Sequence, residues 1–284
     1  MAKLLEGKPV AEKIKEALRK RVFSLKIKPA LASIIVGDNP SSQSYVNSQA
    51  RAAQEVGVEY QLHKIPSSAT ESHLLDFIQK LNLNKSINGI IVQSPLPEHI
   101  SYRKAVSFID INKDVEGMHP ANIGKILLGE GGIIPCTASA VMELISVSGI
   151  GLYGKEVVIV GHSEIVGKPL ALLLLREMAT VTVCHIGTSE SGRLKEHVNR
   201  AEVLVVSAGI PGLIKGAWIK EKAVVIDVGI SRVKDKIVGD VEFESADKRA
   251  SYITPVPGGV GPLTVAMLMR NLIEASVIQQ SGIK

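Results

Sequence analysis

VVIVGHSEIVGKPLALLLL, residues 157–175, is the stretch that decides the fold. Val157–Val160 form an unbroken β-branched run, which suits a strand covered on both faces. Gly161 follows and lets the backbone turn sharply. A helix then opens near Ile165, with Gly167 small enough to pack close to the strand. The first turn of such a helix presents unpaired N–H groups and a partial positive charge, so a phosphate is stabilised there. The spacing is not Gly-x-Gly-x-x-Gly. Taken alone, the segment fits an ordinary strand–helix turn as well as a dinucleotide site.

The same alternation extends in both directions. Downstream, strands are predicted at 180–184, 203–207 and 223–228, and a helix at 190–199. Upstream, helices are predicted at 9–23, 43–56 and 70–81, and strands at 30–37, 58–65 and 88–93. Residues 110–135 read as a glycine-rich irregular stretch. Thr137 caps a helix running to Ser148, which bridges two domains. GGVGPLTVAMLMRNLIEAS, 258–276, reads as a glycine-rich loop opening into a C-terminal helix. Strands alternating with helices imply parallel sheets and an α/β class. With 284 residues, about two domains are expected at roughly 150 residues each.

Bulk properties narrow the function classes. Hydrophobic residues make up 45% and aromatics 4%, so the chain is globular and neither disordered nor fibrous. No apolar run reaches the ~18–20 residues of a spanning helix. The net charge of +5 allows an anionic small molecule. No basic run interleaved with aromatics points to nucleic acid. Cys136 and Cys184 lie far apart and form neither a disulfide framework nor a metal-ligand cluster. The opening MAKLLEGKPV lacks the apolar core of a signal peptide. A cytoplasmic protein is expected, with no nucleic-acid or membrane partner and no metal.

Candidate residues follow from position. Tyr45 and Gln49 are four apart on one predicted helix and share a face. Gln93 sits at the carboxyl end of a predicted strand, where open α/β sheets hold ligands. Asp114 and Glu116 follow an irregular segment. Packing on the sheet for Tyr45, and a solvated loop acid for Glu116, are the plainer readings. The strand ending VTVCHIGT, 181–188, lacks the acid that grips the ribose diol of NAD. His162 and Arg193 supply positive charge nearby, which leans the cofactor towards NADP and leaves NAD open.

Six further segments carry a resemblance. SSQSYVNSQARAAQEVG, GIIVQSPLP, KDVEGMHPANIGK, IIPCTASA, VVIVGHSEIVGKPLA and ITPVPGGVGPLTVAML occur in this order along the chain. Together they resemble the methylenetetrahydrofolate dehydrogenase/methenyltetrahydrofolate cyclohydrolase family, the bifunctional folate enzymes of one-carbon metabolism. The last segment is long and specific. The resemblance implies two α/β domains with a cleft between them. The catalytic, folate-binding domain would hold 1–138 and 263–284. A Rossmann-like, mostly parallel NADP domain would hold 139–262.

The resemblance also implies site residues. Tyr45 matches the tyrosine lying along the folate, Gln93 the glutamine contacting the family's catalytic lysine, and Glu116 the acid gripping the pterin edge. Pro257, Gly258 and Gly261 fall in the substrate-binding signature. Gly161, His162, Ser163 and Ile230 fall at the cofactor. Several matched positions depart from the family pattern. Gln49 stands where the lysine is expected, and a glutamine amide cannot be a general base near neutral pH. Glu116 stands for an aspartate, Ser94 where leucine is common, His162 where arginine or a small residue is frequent, and Ile186 where serine is usual.

Hydride transfer needs alignment, whereas hydrolysis needs an activated water. The implied function is therefore NADP-dependent oxidation of 5,10-methylenetetrahydrofolate, with the hydrolytic step weak or lost. Full bifunctionality and a non-catalytic regulatory paralogue are the alternatives. Tetrahydrofolate derivatives as ligands, a homodimer paired through the cofactor domain, and a place in purine and amino-acid biosynthesis complete the expectation.

Overall fold

The computed structural model describes residues 1–281 of the chain. The order opens with β1 (Lys3–Leu4), α1 (Gly7–Phe23), β2 (Ala30–Val36), α2 (Pro40–Val56), β3 (Glu59–Ile65), α3 (Glu71–Leu83) and β4 (Gly89–Val92). It continues with α4 (Tyr102–Ser107), α5 (Pro120–Leu128), α6 (Cys136–Ser148), β5 (Glu156–Val160), α7 (Gly167–Arg176) and β6 (Thr180–Cys184). Then come α8 (Ile186–Glu190), α9 (Leu194–Arg200), β7 (Val203–Val206) and β8 (Val224–Asp227). The chain ends with β9 (Ser231–Val233), β10 (Lys236–Val238), α10 (Phe243–Asp247), β11 (Tyr252–Ile253) and α11 (Val260–Ser281). No helix among the described residues is long and apolar enough to cross a membrane.

The chain divides into two compact units. One holds Glu12–Cys136 and α11 from Val265 onward. Its sheet runs β3-β2-β4, all parallel. The central β2 is buried along its whole length, while β3 is an edge and is only half-buried. Leu74, Ile78 and Leu81 of α3 cover one face together with Ile34, Ile90 and Val92. Thr70 caps α3 by accepting from the His73 N–H at 3.2 Å. At the other end, the Lys113 ammonium donates to the carbonyls of Leu81, Asn82 and Asn84 at 2.7–2.9 Å. That satisfies orphan acceptors of the last turn.

The other unit holds Met1–Ala11 and Thr137–Thr264. Its six strands run β1-β11-β8-β7-β5-β6, all parallel. β7 and β8 are fully buried, as strands covered on both faces must be. Val158, Val160, Leu204, Val206 and Val225 pack with Leu194 and Val198 of α9.

Four sequence expectations change. Residues 110–135 are not wholly irregular, because α5 lies within them. Its ends are ordinary: His119 caps it through Nδ1, Pro120 sits in the first turn, and Gly129 closes it at φ 75°. The helix expected at 190–199 begins only at Leu194, as α9, after Gly192 at φ 74°, and a separate short helix, α8, lies before it. The β9–β10 hairpin was not anticipated. The N-terminus also moves: Met1–Ala11 joins the six-stranded unit rather than the unit of residues 12–136. The N–H groups of Ala2, Lys3 and Leu5 donate to the carbonyls of Asp247, Ser251 and Ile253 at 2.8–2.9 Å. These bonds add β1 to the edge of that sheet.

Candidate functional site

In the three-stranded unit, the chain leaves β2 towards β3 and returns to the opposite side of β2 as β4. Ligands of open parallel sheets bind outside the carboxyl ends of strands at such a switch point. Gln93 is the first residue past β4, and its N–H donates to the Ile34 carbonyl at 2.8 Å. Its Nε2 donates to Ser33 Oγ and to Gln49 Oε1, both at 2.9 Å. The Tyr60 hydroxyl donates to the same Gln49 oxygen at 3.1 Å. Gln49 is wholly buried. Its partners are an amide and a phenol, with no amine or carboxylate among them.

The other end of that amide is under-used. No hydrogen bond of ordinary geometry reaches Gln49 Nε2, though the Tyr45 phenol one turn earlier on α2 lies within its influence. A buried donor without a partner costs roughly 1–3 kcal/mol. Neighbours on the same helix offer no substitute base. Ser42 is buried and donates to the Ser94 carbonyl at 3.1 Å, Ala52 and Ala53 are core residues, and Arg51 is exposed.

Tyr45, Glu116 and Cys136 form the second part of this site. Burial, followed by the charges of Cys136 and Glu116, holds the Tyr45 hydroxyl far above its ordinary range. Glu116 Oε2 accepts from the Tyr102 hydroxyl at 3.1 Å. Burial of its carboxyl, and next the charge of Asp114, push Glu116 up to about 7. Asp114 does different work. Its oxygens accept from the N–H groups of Gly117, Met118 and His119 and from Asn122 Nδ2, at 2.8–3.2 Å. It ties the turn that carries Glu116, and it bridges Ile90 of β4. Thus Tyr45, Gln49, Gln93 and Glu116 all belong to one unit and cluster about the β4 end. Ser33, Tyr60 and Tyr102 belong to this cluster and were not singled out from the sequence.

In the six-stranded unit the switch point lies between β5 and β7. Here Gly161 has φ 125°, and a Cβ on it would come 2.3 Å from the Ser207 carbonyl oxygen. A Cβ on Gly167 would come 2.0 Å from the Gly161 oxygen. Only glycine fits either place, so the backbone itself forms the wall of the site. A cavity of about 280 Å³ opens there, lined by Gly161, His162, Ser163, His185, Ser189 and Ser207 among others. The cradle and its polar rim suit a dinucleotide. Ile230 is not part of this lining. It lies exposed past the end of β8, within van der Waals reach of a Cβ on Gly261. The Asp227 carboxylate holds that turn by accepting from the N–H groups of Gly229, Asp240 and Val241 at 2.9–3.0 Å. Pro257, Gly258 and Gly261 belong to this unit too, on the stretch between β11 and the first turns of α11.

Two domain models of one family match the chain. Residues 5–116 match the tetrahydrofolate dehydrogenase/cyclohydrolase catalytic domain, and residues 135–280 match its NAD(P)-binding domain. The chain belongs to the tetrahydrofolate dehydrogenase/cyclohydrolase family. Within that family it is 51% identical to the bifunctional protein FolD of Acetivibrio thermocellus over 282 residues, 98% of each chain. The crystal structure of the bifunctional FolD enzyme of Campylobacter jejuni superposes with a TM-score of 0.94 at 45% identity, covering 98% of this chain and 99% of that one. The Trypanosoma brucei methylenetetrahydrofolate dehydrogenase-cyclohydrolase, solved with NADP and an inhibitor, gives a TM-score of 0.91 at 41% identity, covering 97% and 98%. The chain therefore carries the family's catalytic and NAD(P)-binding domains.

Proposed function

We propose that this chain oxidises 5,10-methylenetetrahydrofolate to 5,10-methenyltetrahydrofolate with NADP, and that hydrolysis to 10-formyltetrahydrofolate is weak or lost. The observation that carries the proposal is the Gln49 amide, buried at the centre of the Ser33–Tyr60–Gln93 network with no amine, imidazole or carboxylate partner. Position 49 is taken as the place of the family's lysine. An amide there donates and accepts hydrogen bonds but cannot take the proton of an attacking water. The bound nicotinamide ring supplies the hydride acceptor. Tyr45 lies along the folate, Gln93 sets the orientation of Gln49, and Glu116 grips the pterin edge. Pro257, Gly258 and Gly261 complete the folate site. Gly161, His162, Ser163 and Ile230 hold the cofactor, for which the NADP complex of the Trypanosoma brucei relative is the support. A cytoplasmic homodimer, paired through the NAD(P)-binding domain and serving purine and amino-acid biosynthesis, is part of the same reading.

The test is a paired assay on one preparation. Methylenetetrahydrofolate with NADP should yield reduced cofactor, and methenyltetrahydrofolate should decay near its rate in buffer. Gln49→Lys should then raise the hydrolysis by at least roughly tenfold, given the ~10²–10⁴-fold worth of a positioned proton-transfer group. No cofactor reduction with either NADP or NAD removes the dehydrogenase reading. A second reading, full bifunctionality, is favoured by Glu116, since a carboxyl near 7 can exchange a proton at neutral pH, and by the name of the 51%-identical relative. On that reading the wild type hydrolyses methenyltetrahydrofolate rapidly and Glu116→Gln abolishes it.

A further inference from the structure

We propose that Tyr102 is a positioning residue of the folate site, whose hydroxyl holds the Glu116 carboxylate where the ligand's donors meet it. The inference rests on the reading above, that Glu116 grips the pterin edge.

Both ends of the contact are anchored. Glu116 sits in the turn that Asp114 ties down, and the next residue, Gly117, has φ 75°. A Cβ on Gly117 would come 2.6 Å from the Ile134 carbonyl carbon and from the Pro135 nitrogen. The turn therefore lies directly against main chain, which fixes where the Glu116 side chain starts. Tyr102 opens α4. The Ser101 N–H before it donates to Glu71 Oε2, in the first turn of α3, at 2.9 Å. Lys104 pairs with the same carboxylate, and Ala105 and Val106 of α4 are buried.

Between these anchors the Tyr102 hydroxyl donates to Glu116 Oε2 at 3.1 Å. An aspartate on the same backbone is one methylene shorter. Its carboxyl would stop about one C–C bond, or 1.5 Å, further back, which is beyond hydrogen-bond reach. Tyr102 thus serves the glutamate of this chain and would not serve the aspartate of the family pattern.

A hydroxyl that donates to a carboxylate favours its ionised form. The Tyr102 bond therefore offsets part of the burial, and of the Asp114 charge, that push Glu116 up to about 7. The other groups around this carboxyl do not titrate with it. Tyr45 of α2, Tyr102 itself and Cys136 of α6 are pushed up, chiefly by burial, and stay neutral. Arg270 of α11 acts on Cys136. His119 Nδ1 accepts from the Ala121 N–H at 3.1 Å. The Lys113 ammonium is engaged by the carbonyls that end α3, and Arg103 is exposed.

Two measurements on the full-length protein test this. Carbon-13 NMR of the glutamate carboxyls, with the Glu116 signal assigned by its loss in E116Q, follows the titration without ligand. Calorimetry with tetrahydrofolate under argon, from about pH 6 to 9, reads the site itself. Y102F keeps the ring and loses only the hydroxyl. It should raise the Glu116 midpoint by about one pH unit, the worth of a hydrogen bond to a charged group. Tetrahydrofolate affinity should then fall about fivefold at pH 7 and return to within about twofold of the wild type at pH 9. In E116D, whose carboxyl does not reach the phenol, adding Y102F should change neither reading. An unchanged midpoint in Y102F overturns the proposal, as does an affinity loss of equal size at every pH, which a change of packing alone would give. A raised midpoint together with undiminished tetrahydrofolate affinity in E116Q overturns instead the reading of Glu116 as a folate contact.

Discussion

At the scale of single residues, the site is a balance between burial and charge, and Glu116 shows it most clearly. Its carboxyl is held at about 7 against an ordinary 4.5, first by burial and then by the Asp114 charge. Below the unfolded value both states are protonated and the group is neutral to stability. Between 4.5 and about 7 the unfolded chain ionises while the folded one does not. The folded state thus loses stability across that window and regains none above it. At ~1.4 kcal/mol per pKa unit the full effect is about 3 kcal/mol. Glu116→Gln should therefore be more stable than the wild type at pH 8 by up to about 3 kcal/mol and no more stable at pH 4, as read by urea unfolding. On the proposed function the same variant should also bind folate more weakly at pH 8, since an ionised Glu116 carboxylate would be the form that accepts donors from a pterin edge. Equal stability gaps at the two pH values would remove the assignment. Tyr45, Gln49 and Gln93 were legible from helical spacing and from the strand-end rule. Ser33 and Tyr60 were not, because a lone serine inside the buried run of β2 and a tyrosine on the half-buried edge strand β3 each fit plain sheet packing. The network joining Ser33, Gln49, Tyr60 and Gln93 is a property of three strands and a helix together, and no single segment encodes it.

At the scale of elements, the strongest signal was the strand–glycine–helix unit at 157–175, and the structure shows why. Gly161 and Gly167 approach backbone atoms so closely that any Cβ collides with main chain, which cannot move aside as a side-chain tip can. Gly161→Ala should cost about 1–3 kcal/mol in backbone strain and weaken dinucleotide binding by at least roughly tenfold. On the proposed function, the folate contacts of Tyr45, Gln93 and Glu116 should persist, because these residues belong to the other unit and do not depend on this turn. Calorimetry with each ligand separates the two effects, and intact dinucleotide affinity would show that the turn is not the phosphate cradle. Elements that were missed are short or locally ambiguous. β1, β9, β10 and β11 span two or three residues each, too few for a period of two to register. α5 carried proper signals, His119-Pro120 before it and Gly129 after it, but they sat inside a glycine-rich stretch that reads as loop.

At the scale of the whole molecule, the order of segments does not predict which unit each joins. The sequence reading kept residues 1–138 together because nothing in MAKLLEGKPV marks a boundary. The structure instead hands Met1–Ala11 to the six-stranded unit and begins the other at Glu12, within α1. The transfer is made by edge pairing of β1 on β11 and by Leu5, which is 2% exposed and whose N–H donates to Ile253. A hydrophobic residue five positions from the terminus is thus a core residue of a sheet formed some 250 positions later. Leu5→Ala should cost about 2–5 kcal/mol, the range for truncating a buried leucine. Because the two units have separate sheets, the loss should be local. Hydrogen exchange should quicken in β11 and β8, which lie next to β1, and stay unchanged in β2 and β4. Dinucleotide affinity should fall with it, and on the proposed function folate affinity should fall less, because Tyr45, Gln93 and Glu116 lie in the other unit. If β2 and β4 exchange faster and β8 does not, the N-terminal segment belongs energetically with the folate unit, and the division at Ala11 is wrong.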